Sequence, residues 1–386
     1  MFKVLKLNEI SPVIDSVFPA SYDVSKEQDA PDAILLRSFA MHEYPLADSL
    51  LSVARCGAGT NNIPIDKCTE KGIVVFNTPG ANANAVKELV LAGLLLGSRK
   101  IVDGIKWASS LKRNGDAVAK MVEKGKGQFV GPEILGKKLA VIGLGAIGAK
   151  IANAAVALGM EVLGYDPYLS IDAAWNLDRA VKKVTDFAEL LKEADYVTLH
   201  IPLTSTNKYM FNTETFAKMK QGAVLLNFSR GELVANDDVK AAVASGKISR
   251  YVTDFPVEEL LDVENIVCIP HLGASTPEAE DNCAEMAAKQ TVDYLENGNI
   301  RNSVNYPATE LPRSGKCRVA IHHRNVKDMI SQITSLVSAD GFNIENFVSK
   351  SRGDFAYCLL DLNAKAGDKL AEDLSKIEGV LRVRIL

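Results

Sequence analysis

Histidine is scarce in this chain. Only five occur among 386 residues, His42, His200, His271, His322 and His323, so chemistry that needs an imidazole has few candidates. The six cysteines, Cys56, Cys68, Cys268, Cys283, Cys317 and Cys358, form no C-x-x-C pair. That spacing speaks against a structural zinc site or other metal and for free thiols in a reducing compartment. Long apolar runs are missing as well. The greasiest, Leu89 to Leu96, is far too short to span a membrane. Met1 to Ile10 alternates like a strand and lacks the unbroken apolar core of a signal peptide, so a cytoplasmic protein is expected. A formal net charge of −4 gives no electrostatic reason to expect nucleic acid or an acidic membrane as partner, although a local cluster of cations would suffice for a small anion. No internal repeat or low-complexity segment is visible.

What is present is ordinary for a globular protein: 47% hydrophobic and 24% charged residues, in a chain long enough for two or three domains. The most informative stretch is Lys137 to Lys150, K-K-L-A-V-I-G-L-G-A-I-G-A-K. An apolar run, Leu139 to Ile142, enters Gly143, Gly145 and Gly148, and Ile147, Ile151 and Ala155 follow at helical spacing. Strand, tight turn and helix in this order form a dinucleotide cradle, with Gly145, Ala146 and Ile147 opening a helix whose free N–H groups face the pyrophosphate. A second strand, Glu161 to Tyr165, ends in Asp166, 166 − 148 = 18 residues past the last glycine, near where a ribose-binding carboxylate is expected. Pro167 and Tyr168 follow it, with no arginine for a 2′-phosphate, so the expected cofactor is NAD.

Before this loop, strand-like runs at Ala33–Leu36, Leu51–Ala54 and Ile73–Phe76 end in turns carrying Arg37-Ser38, Arg55-Cys56-Gly57 and Asn77 to Asn82. Ligands of an open parallel sheet lie beyond the carboxyl ends of its strands. Arg37 and Arg55 there suit a phosphorylated or carboxylated substrate through paired hydrogen bonds; the alternative is two solvent-exposed arginines. Helices are expected at Asn84–Arg99 and through Trp107 and Leu111, then a basic, glycine-containing approach to the loop. Further strands at Tyr196–His200, Ala223–Asn227, Ser249–Asp254 and Ile266–Ile269 imply a doubly wound sheet. A long helix, Thr276–Asn297, then leads back to the first unit. From Lys316 the pattern is β-α-β-β-α-β, the ferredoxin-like arrangement. The fold class is therefore α/β. The expected domains are a flavodoxin-like substrate domain (1–82 and 276–306), a Rossmann-like nucleotide domain (83–275) and a ferredoxin-like domain (315–386). One face of the last sheet is expected to be free to pair with another copy, giving a homo-oligomer.

Oxidation of an alcohol by a nicotinamide enzyme needs a base for the hydroxyl proton and a fixed cation beside the reacting carbon. His271 follows a strand of the nucleotide-binding sheet and opens the loop H-L-G-A-S-T, which includes Gly273. Arg230, in the turn Asn227-Phe228-Ser229-Arg230-Gly231, suits a carboxylate clamp, with a salt bridge as its alternative role. The stretch Asp254-Phe255-Pro256-Val257-Glu258-Glu259 offers the acid that would tune the histidine. Pro202, after a strand end, is placed to line the cofactor, and His200 beside it reads as structural.

The glycine loop, N-F-S-R-G, D-F-P-V-E-E and P-H-L-G-A-S-T, in this order, resemble the NAD-dependent D-2-hydroxyacid dehydrogenases over nearly the entire chain. The C-terminal unit resembles an ACT domain, a combination similar to the branch of that family that opens serine biosynthesis from a small phosphorylated 2-hydroxy acid. The resemblance implies catalytic roles for Arg230, His271 and a glutamate, Glu259 when counted from the aspartate and Glu258 when matched on Phe-Pro. Asp254 and Ser229 are implied at the cofactor, and Arg37, Ser38, Arg55, Gly57 and Asn82 at the substrate. In the ACT unit His323, Asn325 and Asn343 match a site for L-serine as effector. Lys327-Asp328 replaces the Pro-Gly of serine-inhibited relatives, a loss expected to disturb the backbone there. A homodimer or homotetramer is implied. Two other readings share the scaffold: a reductase of unphosphorylated acids such as hydroxypyruvate or glyoxylate, and an NAD-sensing interaction protein without catalysis.

Overall fold

Five short strands open the chain: β1 (Phe2–Leu7), β2 (Tyr22–Ser25), β3 (Ala33–Leu36), β4 (Ser52–Arg55) and β5 (Val74–Phe76). They pair in parallel in the order β2-β1-β3-β4-β5, the flavodoxin-like arrangement. β3 and β5 are buried along their whole length, as unbroken apolar runs are when a parallel sheet is covered on both faces. One face packs against the helix Pro277–Asn297 through Cys283, Ala284, Ala287 and Ala288, small side chains that let helix and sheet approach closely. The other carries Leu5, Ile34, Leu36, Val53 and Val75, closed over by Met41, Ile63 and Cys68.

The computed structural model describes Met1–Leu386, the side chain of Asp172 excepted, as two units: Met1–Ala81 with Pro277–Leu386, and Asn82–Thr276. The second unit holds β6 (Lys138–Ile142), β7 (Glu161–Tyr165), β8 (Lys182–Lys183), β9 (Tyr196–Leu199), β10 (Ala223–Asn227), β11 (Ile248–Thr253) and β12 (Ile266–Cys268). Their order, β12-β11-β10-β9-β6-β7-β8, reverses direction between β6 and β9, where the ligand crevice of a doubly wound sheet opens. The helix Ala83–Ser98 lies flat on β10, because a Cβ at Gly93 would fall 2.5 Å from the Phe228 ring and one at Gly97 2.7 Å from Val224. The approach to the glycine loop contains a helix the composition had not suggested, Ala117–Gly125. It buries none of its residues; Gly125 at its end makes room for the Trp107 ring.

The last sheet comprises β13 (Cys317–Arg324), β14 (Ile344–Arg352), β15 (Phe355–Leu362) and β16 (Val380–Ile385), antiparallel in the order β14-β15-β13-β16. The helices Met329–Ala339 and Asp368–Ser375 cover one face. The expectation that the other face is free does not hold. Ala320, Tyr357 and Leu359 on that face share one core with Tyr294, Leu295 and Tyr306 of the same unit. Polar contacts fix the packing. Arg384 donates to the carbonyls of Tyr294 (3.1 Å) and Leu295 (2.6 Å), Arg318 to Asn297 (2.9 Å), and the Tyr357 hydroxyl to Gly298 (2.6 Å). These carbonyls lie at the end of the long helix, where backbone donors run out and the dipole favours cations, although that of Tyr294 also accepts the Gly298 N–H (2.9 Å). Arg318 also forms a two-pronged ion pair with Asp361, both side chains fully buried. The ferredoxin-like module is thus part of the first unit.

Candidate active site

In the second unit the glycine loop follows β6. Gly143 has φ +89°, and a Cβ there would meet the His200 carbonyl oxygen at 2.4 Å. A Cβ on Gly148 would lie 1.9 Å from the Gly143 oxygen, so this glycine brings helix against loop. Gly145 differs: nothing lies within 4 Å of its ideal Cβ, and it sits exposed, with Ala146, at the start of the helix Ala146–Ala157. Protein contacts therefore do not require a glycine at 145, and its bare backbone leaves room for a ligand to approach. Asp166, past β7, accepts the Leu144 N–H (2.9 Å) and the Tyr168 N–H (2.9 Å). Each carboxylate oxygen is thereby fixed against the loop with capacity left for a ribose hydroxyl.

Asp254 follows β11 and is 2% exposed, with one carboxyl oxygen, Oδ1, buried without a hydrogen-bond partner. Burial pushes its pKa up to about 7, against the opposing pull of a backbone hydrogen bond and of the Arg230 charge. An orphaned acceptor at the carboxyl edge of this sheet suits the amide N–H of a nicotinamide. Gly273 keeps the backbone close by: its Cβ would stand 3.9 Å from Asp254 Oδ2 and 3.2 Å from Val86. The residues present thus fit NAD at both its pyrophosphate and its nicotinamide ends.

Beside Asp254 lies the N-F-S-R-G turn. Buried Asn227 shapes it, donating to the Arg230 carbonyl (2.9 Å) and accepting the Ser229 N–H (3.2 Å). The Ser229 hydroxyl donates to the Ile201 carbonyl (2.5 Å), tying this turn to the segment that ends in Pro202. Arg230 is exposed, its Nη1 donating to the Ser229 carbonyl (2.6 Å). His271 is also exposed, with its ring edge-to-face on Phe255 at 5.0 Å. A Cβ on Gly231 would meet the same Phe255 at 3.2 Å. The ends of β10, β11 and β12 therefore bring Arg230, Asp254, Phe255 and His271 to one edge of the sheet. Glu259 turns toward the helix Asn236–Ala244, where Asn236 Nδ2 lies 3.4 Å from its Oε2 and Lys240 faces it. Glu258 opens the same short 3-10 turn, exposed.

Other histidines have structural partners. His42 sits 3.0 Å from the Asn61 carbonyl. His200 is 2.8 Å from the Thr198 hydroxyl, and burial drives its pKa down to about 3. His322 is 2.9 Å from the Tyr294 hydroxyl, and burial together with Arg382 and Arg384 keeps it neutral.

In the first unit, Arg37 and Arg55 end adjacent strands. Arg55 Nε donates to the Arg37 carbonyl (3.0 Å), and its guanidinium folds over Gly57, where a Cβ would lie 2.9 Å from Nη1. Arg37 Nη1 pairs at 2.5 Å with Glu280 of the long helix, a partner no motif had signalled. Ser38 is exposed at the same turn. Asn82, the first residue of the second unit, has a buried Oδ1 without a partner.

The effector triad is not gathered within one chain. His323 donates from Nδ1 to the Arg324 carbonyl (2.8 Å), leaving Nε2 buried without a partner, and Asn325 donates to Gly353 (3.1 Å) in the β14–β15 turn. Asn343 lies at the opposite end of the sheet, its N–H bonded to Asn363 (3.0 Å). Asp328, which stands where serine-inhibited relatives have glycine, adopts a left-handed φ of +62°. Aspartate tolerates that region better than most residues.

A glycine-loop nucleotide cradle with an imidazole and a guanidinium at the same sheet edge defines an NAD-dependent oxidoreductase. The family described as D-isomer specific 2-hydroxyacid dehydrogenase, NAD binding domain, matches residues 99–273. The D-3-phosphoglycerate dehydrogenase of Haemophilus influenzae is 32% identical over 355 residues, covering 88% of this chain and 82% of that protein. Its Methanocaldococcus jannaschii namesake is 36% identical over 278 residues, but this chain spans only about half, 51%, of its length. Among solved structures, an NAD+-bound 3-phosphoglycerate dehydrogenase of Entamoeba histolytica shares the fold, with a TM-score of 0.62 and 24% identity over 79% of this chain and 98% of that one. The chain belongs to the D-2-hydroxyacid dehydrogenase family.

Proposed function

We propose that this enzyme oxidises D-3-phosphoglycerate to 3-phosphohydroxypyruvate with NAD, the entry step of L-serine biosynthesis. The observation that carries the substrate is the arginine pair, Arg37 and Arg55, at neighbouring strand ends of the first unit. Guanidinium forks suit a phosphate, and relatives that cover most of the chain carry the name of this activity. NAD, when bound, accepts hydride from C2. His271 takes the proton of the C2 hydroxyl, and Arg230 holds the carboxylate on C1 and the oxygen that becomes the carbonyl. A carboxylate of the Glu258–Glu259 turn stabilises the imidazolium. Asp254 receives the nicotinamide amide, and Asp166 the ribose. Initial rates with D-3-phosphoglycerate, D-glycerate, hydroxypyruvate and glyoxylate test this reading: the phosphorylated acid is turned over best, and a preference for hydroxypyruvate or glyoxylate would replace it. No turnover of any of them, with NAD still bound, would leave the interaction-protein alternative.

We further infer a cytoplasmic homodimer or homotetramer that responds to L-serine. No helix among the described residues is long and apolar enough to cross a membrane. Because Asn343 and the His323–Asn325 pair occupy opposite ends of the sheet, an amino acid contacting all three needs a second copy, paired along an exposed edge such as β14. Light scattering with and without L-serine, on wild type and Asn325→Ala, tests both points.

A further inference from the structure

Arg37 already holds an anion. Its Nη1 meets Glu280 Oε1 at 2.5 Å, across 243 residues of sequence (280 − 37), with both side chains partly exposed. Buried Cys283, one turn along the helix from Glu280, lies within electrostatic reach of Arg37, Arg55 and Glu280. Two guanidinium groups at neighbouring strand ends repel each other, and one carboxylate offsets part of that charge. A half-exposed ion pair of this kind is weak, so an incoming anion can displace it.

We propose that Glu280 is an internal counter-anion of the substrate site, released from Arg37 when the distal anion of the substrate arrives, and is thereby a specificity-determining residue. This rests on the reading of Arg37 as a substrate contact. A phosphate monoester carries roughly −1.5 to −2 charges near neutral pH and three acceptor oxygens, so it outcompetes the single charge of Glu280. A carboxylate tail exchanges like for like, and an uncharged tail leaves the Arg37–Glu280 pair closed. Glu280 therefore competes with the distal anion for Arg37 and sets how tightly that anion is held, apart from the hydride chemistry.

The test uses the full-length enzyme with NAD and three proteins: wild type, Glu280→Gln and Arg37→Gln. Glu280→Gln keeps the shape and, being partly exposed, the fold, which a thermal melt checks. Its KM for D-3-phosphoglycerate falls roughly two- to fivefold, inorganic phosphate inhibits competitively at correspondingly lower concentration, and the ratio of kcat/KM for D-3-phosphoglycerate over D-lactate rises by the same factor. Arg37→Gln raises that KM about tenfold or more. If Arg37→Gln raises KM while Glu280→Gln leaves it unchanged or raises it, Glu280 only positions the arginine and the proposal falls, with the anion site intact. Should Arg37→Gln leave KM untouched, the substrate reading of Arg37 falls, and the proposal with it.

Discussion

The charged side chains at the strand ends of the two units are held differently. At the carboxyl edge of β10, β11 and β12, Asp254 keeps a buried oxygen unpaired, and Arg230 and His271 stand exposed. In the first unit, by contrast, Arg37 is paired by Glu280, Arg55 by the Arg37 carbonyl, Arg318 by Asp361, and Arg384 by the end of the long helix. An unpaired buried carboxylate is costly, and such a cost persists where a ligand is to meet it. Asp254 thus keeps a buried acceptor available to a cofactor. In the first unit Arg318 and Arg384 hold the parts of the unit together, and the Arg37–Glu280 pair is the contact we propose to be exchanged.

The comparison is broken most severely at the buried ion pair. Asp361→Asn leaves the Arg318 guanidinium buried without its counter-charge and is expected to destabilise the first unit by about 3–5 kcal/mol, read by urea unfolding. Loss below about 1 kcal/mol would mean that water reaches the site.

In the second unit, Asp254 links stability to pH. The unfolded chain releases this proton near the ordinary carboxyl value of 3.8, whereas the folded chain holds it up to about 7. Between those values the folded state binds more protons, so the Asp254 contribution to stability is full below about pH 4, declines as pH rises, and is lost above about 7. The cost amounts to a few kcal/mol, and Asp254→Asn removes it. Unfolding of the wild type and this variant at pH 5 and pH 8, without cofactor, should show the variant gaining at pH 8. Equal behaviour at both pH values would mean that Asp254 is solvated.

His271→Ala sharpens the contrast from the other side, because an exposed residue contributes chemistry and little stability. Turnover is expected to fall roughly a hundredfold or more, with the melting temperature and NAD binding retained. Unchanged turnover would remove His271 from the mechanism.

Much of this was legible in the chain because the second unit builds its site from contiguous motifs. Gly143–Gly148, Asn227–Gly231, Asp254–Glu259 and His271–Gly273 each follow a strand directly, so a strand assignment also places the ligand-facing turn. β3, β7, β10 and β15 match their expected runs closely, Ala33–Leu36, Glu161–Tyr165, Ala223–Asn227 and Phe355–Leu362, since apolar runs bounded by polar turns leave little choice. What escaped were contacts between residues distant in sequence. Nothing near Glu280 marks it as the partner of Arg37, and nothing near Tyr294 or Tyr306 announces that they cover the last sheet. Its second apolar face, Ala320, Tyr357 and Leu359, alternates with the first along the strands, yet alternation cannot say whether the cover is another copy or the same chain. Asp328 illustrates a subtler limit: the absence of glycine does not by itself exclude a left-handed backbone, which aspartate adopts here.

The division of labour itself is open to one direct measurement: kcat and KM for D-3-phosphoglycerate and for D-glycerate, in the wild type and in Arg55→Gln. If the first unit reads the phosphate and the second performs the hydride transfer, the wild type favours the phosphorylated acid by about a hundredfold in kcat/KM, and Arg55→Gln loses most of that preference through KM while kcat is largely kept. Equal use of both acids by the wild type, or a variant that loses kcat at unchanged KM, would contradict it.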